Sequence, residues 1–263
     1  MKQRIVTGVI GGIIFLTLVY LGGMWYSLLL LLLALIGLFE FLRMAGLSPF
    51  SFTGLLSYLL MLSITWPDLV SSSWPLFHFS TVLMPVVILL LFYTVAKKNE
   101  FNIEHAALSL LGAVYVGYGF AYMGAFRDGL SDHGFWLTMM VLLGIWATDS
   151  GAYFVGRAFG KNKLWPAISP NKTIEGSMGG IVIAFVIVLS INAAKSVVPF
   201  TQALEIALVI GVTAQIGDLV ESALKRHFGV KDSGQILPGH GGVLDRTDSW
   251  LIVFPVLYIL GFH

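Results

Sequence analysis

Nine stretches of the chain are apolar with little interruption: residues 4–21, 24–45, 51–66, 75–96, 103–125, 133–157, 174–193, 200–225 and 243–262. About 20 mainly apolar residues suffice to cross a bilayer as a helix. The third stretch is short, and Gly22-Gly23 barely separates the first two. The pattern predicts an all-α, polytopic integral membrane protein of about nine transmembrane helices, with no soluble domain. Residues 1–130 are expected to form a scaffold of lipid-facing N-terminal helices. Residues 131–263 are expected to carry a site on the cytoplasmic side, the two parts forming one membrane domain. MKQR followed by Ile5–Tyr20 resembles a signal peptide but lacks a small-residue cleavage site, so it is read as a retained helix. Gly8/Gly12 and Gly176/Gly180 have the GxxxG spacing of closely packed helices.

The polar positions orient the bundle. With the N-terminus in the cytoplasm, alternating spans gather Lys2, Arg4, Arg43, Lys97, Lys98, Arg157, Lys161, Lys163, Lys172, Lys225, Arg226 and Lys231 on that side. Only Arg127 and Lys195 fall on the other, as the positive-inside bias requires. Hydrophobic residues make up 57% of the chain and charged ones 11%, against about 25% in soluble domains. The net charge of +1 is not gathered on a solvated basic face, so nucleic acid is not an expected partner. The absence of cysteine removes thiolate chemistry and disulfides.

Against this background the segment Gly217–Trp250 stands out, with nine of the chain's 29 charged residues between two apolar stretches. Ionisable groups near hydrocarbon cost about 2.5–3.5 kcal/mol each at a helix centre on insertion scales. Asp149 lies roughly 12 Å below Arg157, and Asp218 roughly 10 Å below Lys225, at 1.5 Å per residue. Asp245 and Asp248 open the last stretch from the same side. Helical periodicity puts Asp218, Glu221, Ser222 and Lys225 in one sector of roughly 100°, and Asp245, Asp248 and Ser249 on one face. Carboxylates ~4 Å apart repel by about 4 kcal/mol at an effective dielectric of 20, so either some are protonated or a cation sits among them. Hard oxygen ligands without histidine or cysteine suit Mg²⁺. The plainer alternative is that the acids pair with Lys225, Arg226 and Arg246 to lock helices together. Glu40 and Arg43, three apart, read as such a local pair.

Two connecting segments look suited to anions. The first runs from Arg157 to Gly176. Pro170 and Asn171 are expected to start a helix whose free N–H groups, with Lys172 and Thr173, face a phosphate. The second is Pro238-Gly-His240-Gly-Gly242, where glycines let backbone amides approach a phosphate closely. His240 is expected to position rather than deprotonate, because a phosphate nucleophile is already ionised near neutral pH. No P-loop or GxGxxG is present.

Ser222-Ala-Leu-Lys225-Arg226, Lys231-Asp232-Ser-Gly and Pro238-Gly-His-Gly-Gly-Val-Leu-Asp245-Arg246-Thr-Asp248-Ser249 together resemble the signature of the phosphatidate cytidylyltransferase (CDP-diacylglycerol synthase) family. Asp149-Ser-Gly-Ala-Tyr-Phe-Val-Gly-Arg157 and Ser169-Pro-Asn-Lys172-Thr resemble it as well. The likeness spans roughly Asp149 to Ser249; the first 130 residues match only in being hydrophobic. It implies a Mg²⁺-dependent transfer in which CTP and phosphatidate of the inner leaflet give CDP-diacylglycerol and pyrophosphate, the lipid phosphate attacking the nucleotide α-phosphorus. The expected ligands for one or two metal ions are Asp218, Asp245 and Asp248, with Asp149 and Glu221 supporting. Lys225 and Arg226 would hold a phosphate. Lys163, Asn171, Lys172, Ser222, Lys231, His240 and Arg246 would contact substrate. The expected setting is the cytoplasmic membrane, among lipid, with a homodimer allowed.

Two other readings compete. A CTP-dependent polyprenol or lipid kinase would transfer a different phosphate. An ion-coupled transporter would also hold intramembrane acids, but near the midplane and commonly between internal repeats, and no repeat is seen.

Overall fold

The structure, a computed structural model, describes residues 2–65, 79–127, 131–236 and 241–263, with side chains from Gly8 onward. Five helices come first: α1 (Lys2–Leu21), α2 (Gly23–Met44), α3 (Phe52–Thr65), α4 (Phe79–Ala96) and α5 (Ile103–Arg127). Next come α6 (Asp132–Phe159), the strands β1 (Lys163–Trp165) and β2 (Ser169–Thr173), α7 (Ile174–Lys195) and α8 (Phe200–His227). A four-residue turn of helix, α9 (Leu244–Thr247), and α10 (Trp250–Ile259) close the chain. Each predicted stretch overlaps one of these helices, the last overlapping two; position 66 of the third and 75–78 of the fourth lie outside the described residues. Helices α2, α4, α5, α6, α7 and α8 are long and apolar enough to cross a membrane, and three shorter apolar helices accompany them.

The outer faces are hydrocarbon. Ile13, Trp25, Leu32, Ile88 and Val182, from four different helices, are each more than half exposed. In water such a belt would drive aggregation, whereas in a bilayer it is the proper solvent contact. The chain is an all-α, multi-pass membrane protein apart from one small hairpin.

Lipid is as apolar as leucine, so helices here associate by close packing rather than by escape from water. α6 and α7 show this at Gly176 and Gly180: a Cβ at either would lie 2.7 Å from the carbonyl oxygen of Ala152 or Thr148 respectively. The expectation fails for the other glycine pair, because Gly12 has nothing within 4 Å. α1 packs chiefly along α2 and leaves that glycine to the outside. One group of helices comprises α2 to α5, another α6 to α8, and α10 packs against α5 on one side and α8 on the other. Phe41, Phe120, Phe126 and Phe254 fill the shared interior, with Phe126 edge-on to Phe254 at 5.2 Å.

Two local expectations are corrected. Pro170 and Asn171 do not begin a helix but lie in β2, which pairs antiparallel with β1 (Lys163 opposite Thr173, Trp165 opposite Ser169). The true N-cap is Thr173, whose hydroxyl accepts from the Gly176 N–H at 3.1 Å. Glu175 turns back to the hairpin root and accepts from the backbone of Lys161 and Asn162 and from the Asn162 amide. The last stretch is likewise not one helix. Asp248 and Ser249 keep helical dihedrals but part α9 from α10. There the Ser249 N–H donates to the Asp248 carboxylate at 2.6 Å, and the Ser249 hydroxyl donates to Ala214 O of α8 at 3.0 Å. Gly217 lets α8 come this close, since a Cβ there would lie 2.7 Å from Ser249 Cα.

Candidate active site

The break between α9 and α10, the last turns of α8 and the middle of α6 face one another, and the acids of all three meet there. Lys225, on the last turn of α8, is the hub. Its ammonium contacts Glu221 Oε2 at 2.7 Å, one turn back, and Asp245 Oδ1 at 2.6 Å, on α9. Asp245 Oδ2 accepts from the Ser233 N–H at 2.9 Å, the Ser233 hydroxyl at 3.0 Å and the Gly242 N–H at 2.9 Å. On the adjoining side Lys172, carried by β2, reaches Asp218 Oδ2 at 2.6 Å, and the Ser222 hydroxyl donates to Asp218 Oδ1 at 3.2 Å. Asp149 is within electrostatic range of Asp218, Asp248 and Lys172. Asp248 in turn feels Asp218, Lys225 and Lys172.

Two clefts flank this cluster. One, about 400 Å³, is lined by Asp149, Tyr153, Arg157, Asn171, Lys172 and Asp218, among others. The other, about 510 Å³, lies between α2 and the segment after α8 and includes Arg43, Lys231 and Gln235. A polar group entering either would arrive beside paired acids and ammonium groups, where charge interactions are less screened than in bulk water.

Most of the expected site residues are therefore brought together. Asp149, Asp218, Glu221, Lys225, Asp245 and Asp248 form the cluster, with Lys172 and Ser222 bonded into it and Asn171 beside it. Lys231 lines the second cleft. Arg226 is exposed on the last turn of α8, and Arg246 is exposed on α9. Lys163 is exposed on β1, next to the cleft-lining Leu164 and so on the opposite strand face. His240 lies outside the described residues.

Two participants were not picked out by sequence reasoning. Ser233 is buried and bonds Asp245 through both its N–H and its hydroxyl. Glu40 is not the local partner of Arg43. It is 1% exposed and accepts from the N–H groups of Val243 and Leu244 and from the Ser233 hydroxyl. Arg43 instead is exposed, over the ring of Phe39. The sequence held a signal for Glu40, the lone acid in the span 24–45, but the nearby arginine offered an easier explanation.

The donor set fits a hard divalent cation in its chemistry. Of the five carboxylates three, Asp218, Glu221 and Asp245, pair with the two lysines, and the buried Glu221 Oε1 has no hydrogen-bond partner among the described residues. Carboxylate oxygens without sulfur ligands favour Mg²⁺. Among the described residues no three such side chains gather around one point; the ammonium groups of Lys172 and Lys225 stand between them instead.

Comparison with known proteins identifies the family. The description "Cytidylyltransferase family" fits residues 2–262. The chain is 46% identical over 266 aligned residues to a phosphatidate cytidylyltransferase of Bacillus subtilis, covering 99% of this chain and 97% of that protein. It is 42% identical to one from Staphylococcus haemolyticus (99% and 98% covered) and 41% identical to one from Staphylococcus aureus (99% and 98%). With nearly its whole length matched, the chain belongs to the cytidylyltransferase family.

Proposed function

We propose that the protein transfers the cytidylyl group of CTP to phosphatidate, giving CDP-diacylglycerol and pyrophosphate. One observation carries the reading: carboxylates from α6, α8 and the α9–α10 region surround Lys172 and Lys225 between two clefts, in a chain of this family. The N-terminus lies in the cytoplasm, as the twelve-to-two distribution of Lys and Arg favours, so the cluster sits at the depth of inner-leaflet headgroups of the cell membrane.

Asp218, Asp245 and Asp248, with Asp149 and Glu221 in support, would hold Mg²⁺. When bound, the ion supplies Lewis-acid stabilisation of phosphate charge. The chain's own residues do the rest. Lys172 and Lys225 are paired with carboxylates while phosphate is absent. A triphosphate offers them a more highly charged acceptor, so Lys172 binds nucleotide from the hairpin side and Lys225 holds a phosphate oxygen at the reacting centre. The lipid phosphate attacks the α-phosphorus, the α–β bridging P–O bond breaks, and the electron pair leaves with pyrophosphate. Because that nucleophile is ionised, no side chain need take a proton. Arg157, Lys231 and Arg226 border the clefts or the end of α8, where they add attraction for polyphosphate.

The deciding experiment incubates purified protein in detergent with phosphatidate, Mg²⁺ and each nucleoside triphosphate in turn. Pyrophosphate and a liponucleotide from CTP are expected. A nucleoside diphosphate with a newly phosphorylated lipid would point to a kinase and overturn the reading. Loss of turnover on chelation, restored by Mg²⁺, is expected as well; turnover indifferent to chelator would remove the metal from it.

A further inference from the structure

The residue that holds the reacting loop in place comes from the other half of the chain. Asp245 lies 205 positions from Glu40 in sequence, yet the loop that delivers it is tied to Glu40 at three points. Glu40 Oε1 accepts from Val243 N–H at 3.0 Å, and Oε2 accepts from Leu244 N–H at 3.0 Å and from the Ser233 hydroxyl at 3.2 Å. The same Ser233 hydroxyl lies 3.0 Å from Asp245 Oδ2. One hydroxyl proton serves both carboxylates, so Glu40 and Asp245 are joined through Ser233. The backbone is shaped to this carboxylate: a Cβ on Gly234 would come within 2.3 Å of Glu40 Oε1, and one on Gly242 within 2.5 Å of Oε2. Gly242 also donates its N–H to Asp245.

We propose that Glu40 is a positioning residue for the transfer reaction, clamping Ser233, Val243 and Leu244 so that Asp245 meets Lys225 and the substrate in one fixed geometry. The proposal rests on the assignment of Asp245 to the reacting centre. The pocket around Glu40 presents donors to both of its oxygens. A carboxylate accepts on both, whereas an amide must turn a donor toward one of them. Glutamine at this position therefore keeps the size and loses the clamp. A residue that only fastened α2 to the bundle would affect stability and leave the turnover of folded protein alone.

The test compares Glu40→Gln, Ser233→Ala and Asp245→Asn in the full chain, purified as monodisperse protein in detergent. For Glu40→Gln we expect kcat to fall about 100-fold, the effect of a displacement near 1 Å at the reacting groups. KM for CTP should stay within about threefold, because the cleft that holds Lys172 is not lined by Glu40. The Mg²⁺ concentration for half-maximal rate should rise. Hydrogen exchange, read without substrate or metal, should show Val243 and Leu244 amides losing protection while α5 and α8 keep theirs. Ser233→Ala, which leaves both backbone bonds to Glu40, should lower kcat about 10-fold, as loss of a supporting hydrogen bond does. It decides the matter if Glu40→Gln does not yield folded protein. Folded Glu40→Gln with unchanged kcat, or Ser233→Ala with unchanged kcat where Glu40→Gln fails to fold, overturns the proposal. An active Asp245→Asn would overturn the assignment on which it rests.

Discussion

Two cations, Arg127 buried just before α6 and Lys225 part-buried near its middle, solve the same problem in opposite ways. Arg127, 3% exposed, donates to Val19 O at 2.8 Å, Tyr20 O at 3.1 Å and Ser131 O at 3.1 Å, and lies over the ring of Phe135. These acceptors are neutral backbone carbonyls, fixed by the end of α1 and by the N-cap of α6, with Asp132 adding charge attraction. Some 18 residues on, roughly 27 Å along α6 at 1.5 Å per residue, Asp149 joins Asp218, Asp248 and Lys172 in the cluster that also holds Lys225, Glu221 and Asp245. Those partners are charged, more numerous than the lysines, and include a buried oxygen with no hydrogen bond. Backbone acceptors fixed by helix ends stabilise one arrangement. A cluster with surplus acids and mobile ammonium groups can exchange partners when a phosphate arrives. The difference separates a structural staple from a reacting centre, although both are cations inside a membrane protein.

The comparison breaks most sharply at Asp245. Asp245→Asn keeps the shape and should lower turnover at least about 1,000-fold, at the upper end of what single electrostatic groups contribute, with elution volume and melting temperature near those of the parent. Near-normal turnover would mean that the acid cluster is a staple too. Next in size is the paired substitution of the two cations. Lys225→Met strands Glu221 and Asp245, which should lower stability by about 3–5 kcal/mol and abolish transfer. Arg127→Met removes charge-assisted bonds to neutral carbonyls. It should lower stability by about 3 kcal/mol and leave kcat of the surviving folded protein unchanged. Thermal melts and kcat measured side by side decide the matter: parallel loss of kcat in both variants would erase the distinction.

The same contrast explains how much could be read beforehand. Membrane spans are written in long apolar runs, so the helices and the family were legible, as was the convergence of acids from α6, α8 and the last stretch. Arg127 was legible only as a charge on the sparse side, because its partners are backbone carbonyls that no side-chain pattern encodes. Glu40 was misread for a related reason. Spacing reveals a neighbour three residues away, whereas bonds to Val243 and Leu244 depend on where α2 lies against a loop 200 residues later. The hairpin escaped notice because Lys163–Thr173 is short and interrupted by Pro166 and Pro170, which reads as loop. The break at Asp248 was hidden because it is made by side chains replacing backbone partners within an apolar run.

Lys172 tests the edge of the reacting centre. It is carried on the hairpin rather than on a membrane helix, and its pair with Asp218 is partly solvated (side chains 23% and 35% exposed). Partly solvated pairs contribute modestly to stability, so Lys172→Gln should leave the melting temperature nearly unchanged. Its effect should appear as a rise of about tenfold in KM for CTP, the sign of a lost ground-state contact. A fall in kcat with KM unchanged would move Lys172 from binding nucleotide to stabilising the transferred charge.

The smallest expected effect lies one step further out, at the hairpin root. Glu175 accepts from the backbone N–H groups of Lys161 and Asn162 and from the Asn162 side-chain amide at 2.8 Å. These bonds set the angle at which the strands leave α6 and hence where Lys172 ends up. Glu175→Gln keeps one oxygen as acceptor but turns an NH₂ toward backbone donors, so the root loosens while β1 still pairs with β2 and Ile174 N–H still reaches Asn162 O. KM for CTP should therefore rise only about threefold with kcat unchanged, since uniform binding alone is affected. Combining Glu175→Gln with Lys172→Gln gives the sharper result. If the root acts by aiming Lys172, the double variant should show the KM of Lys172→Gln alone, because coupled sites are non-additive. Additive effects would mean that the hairpin contacts the nucleotide through something other than Lys172, with Asn171, which lines the same cleft, the next residue to replace.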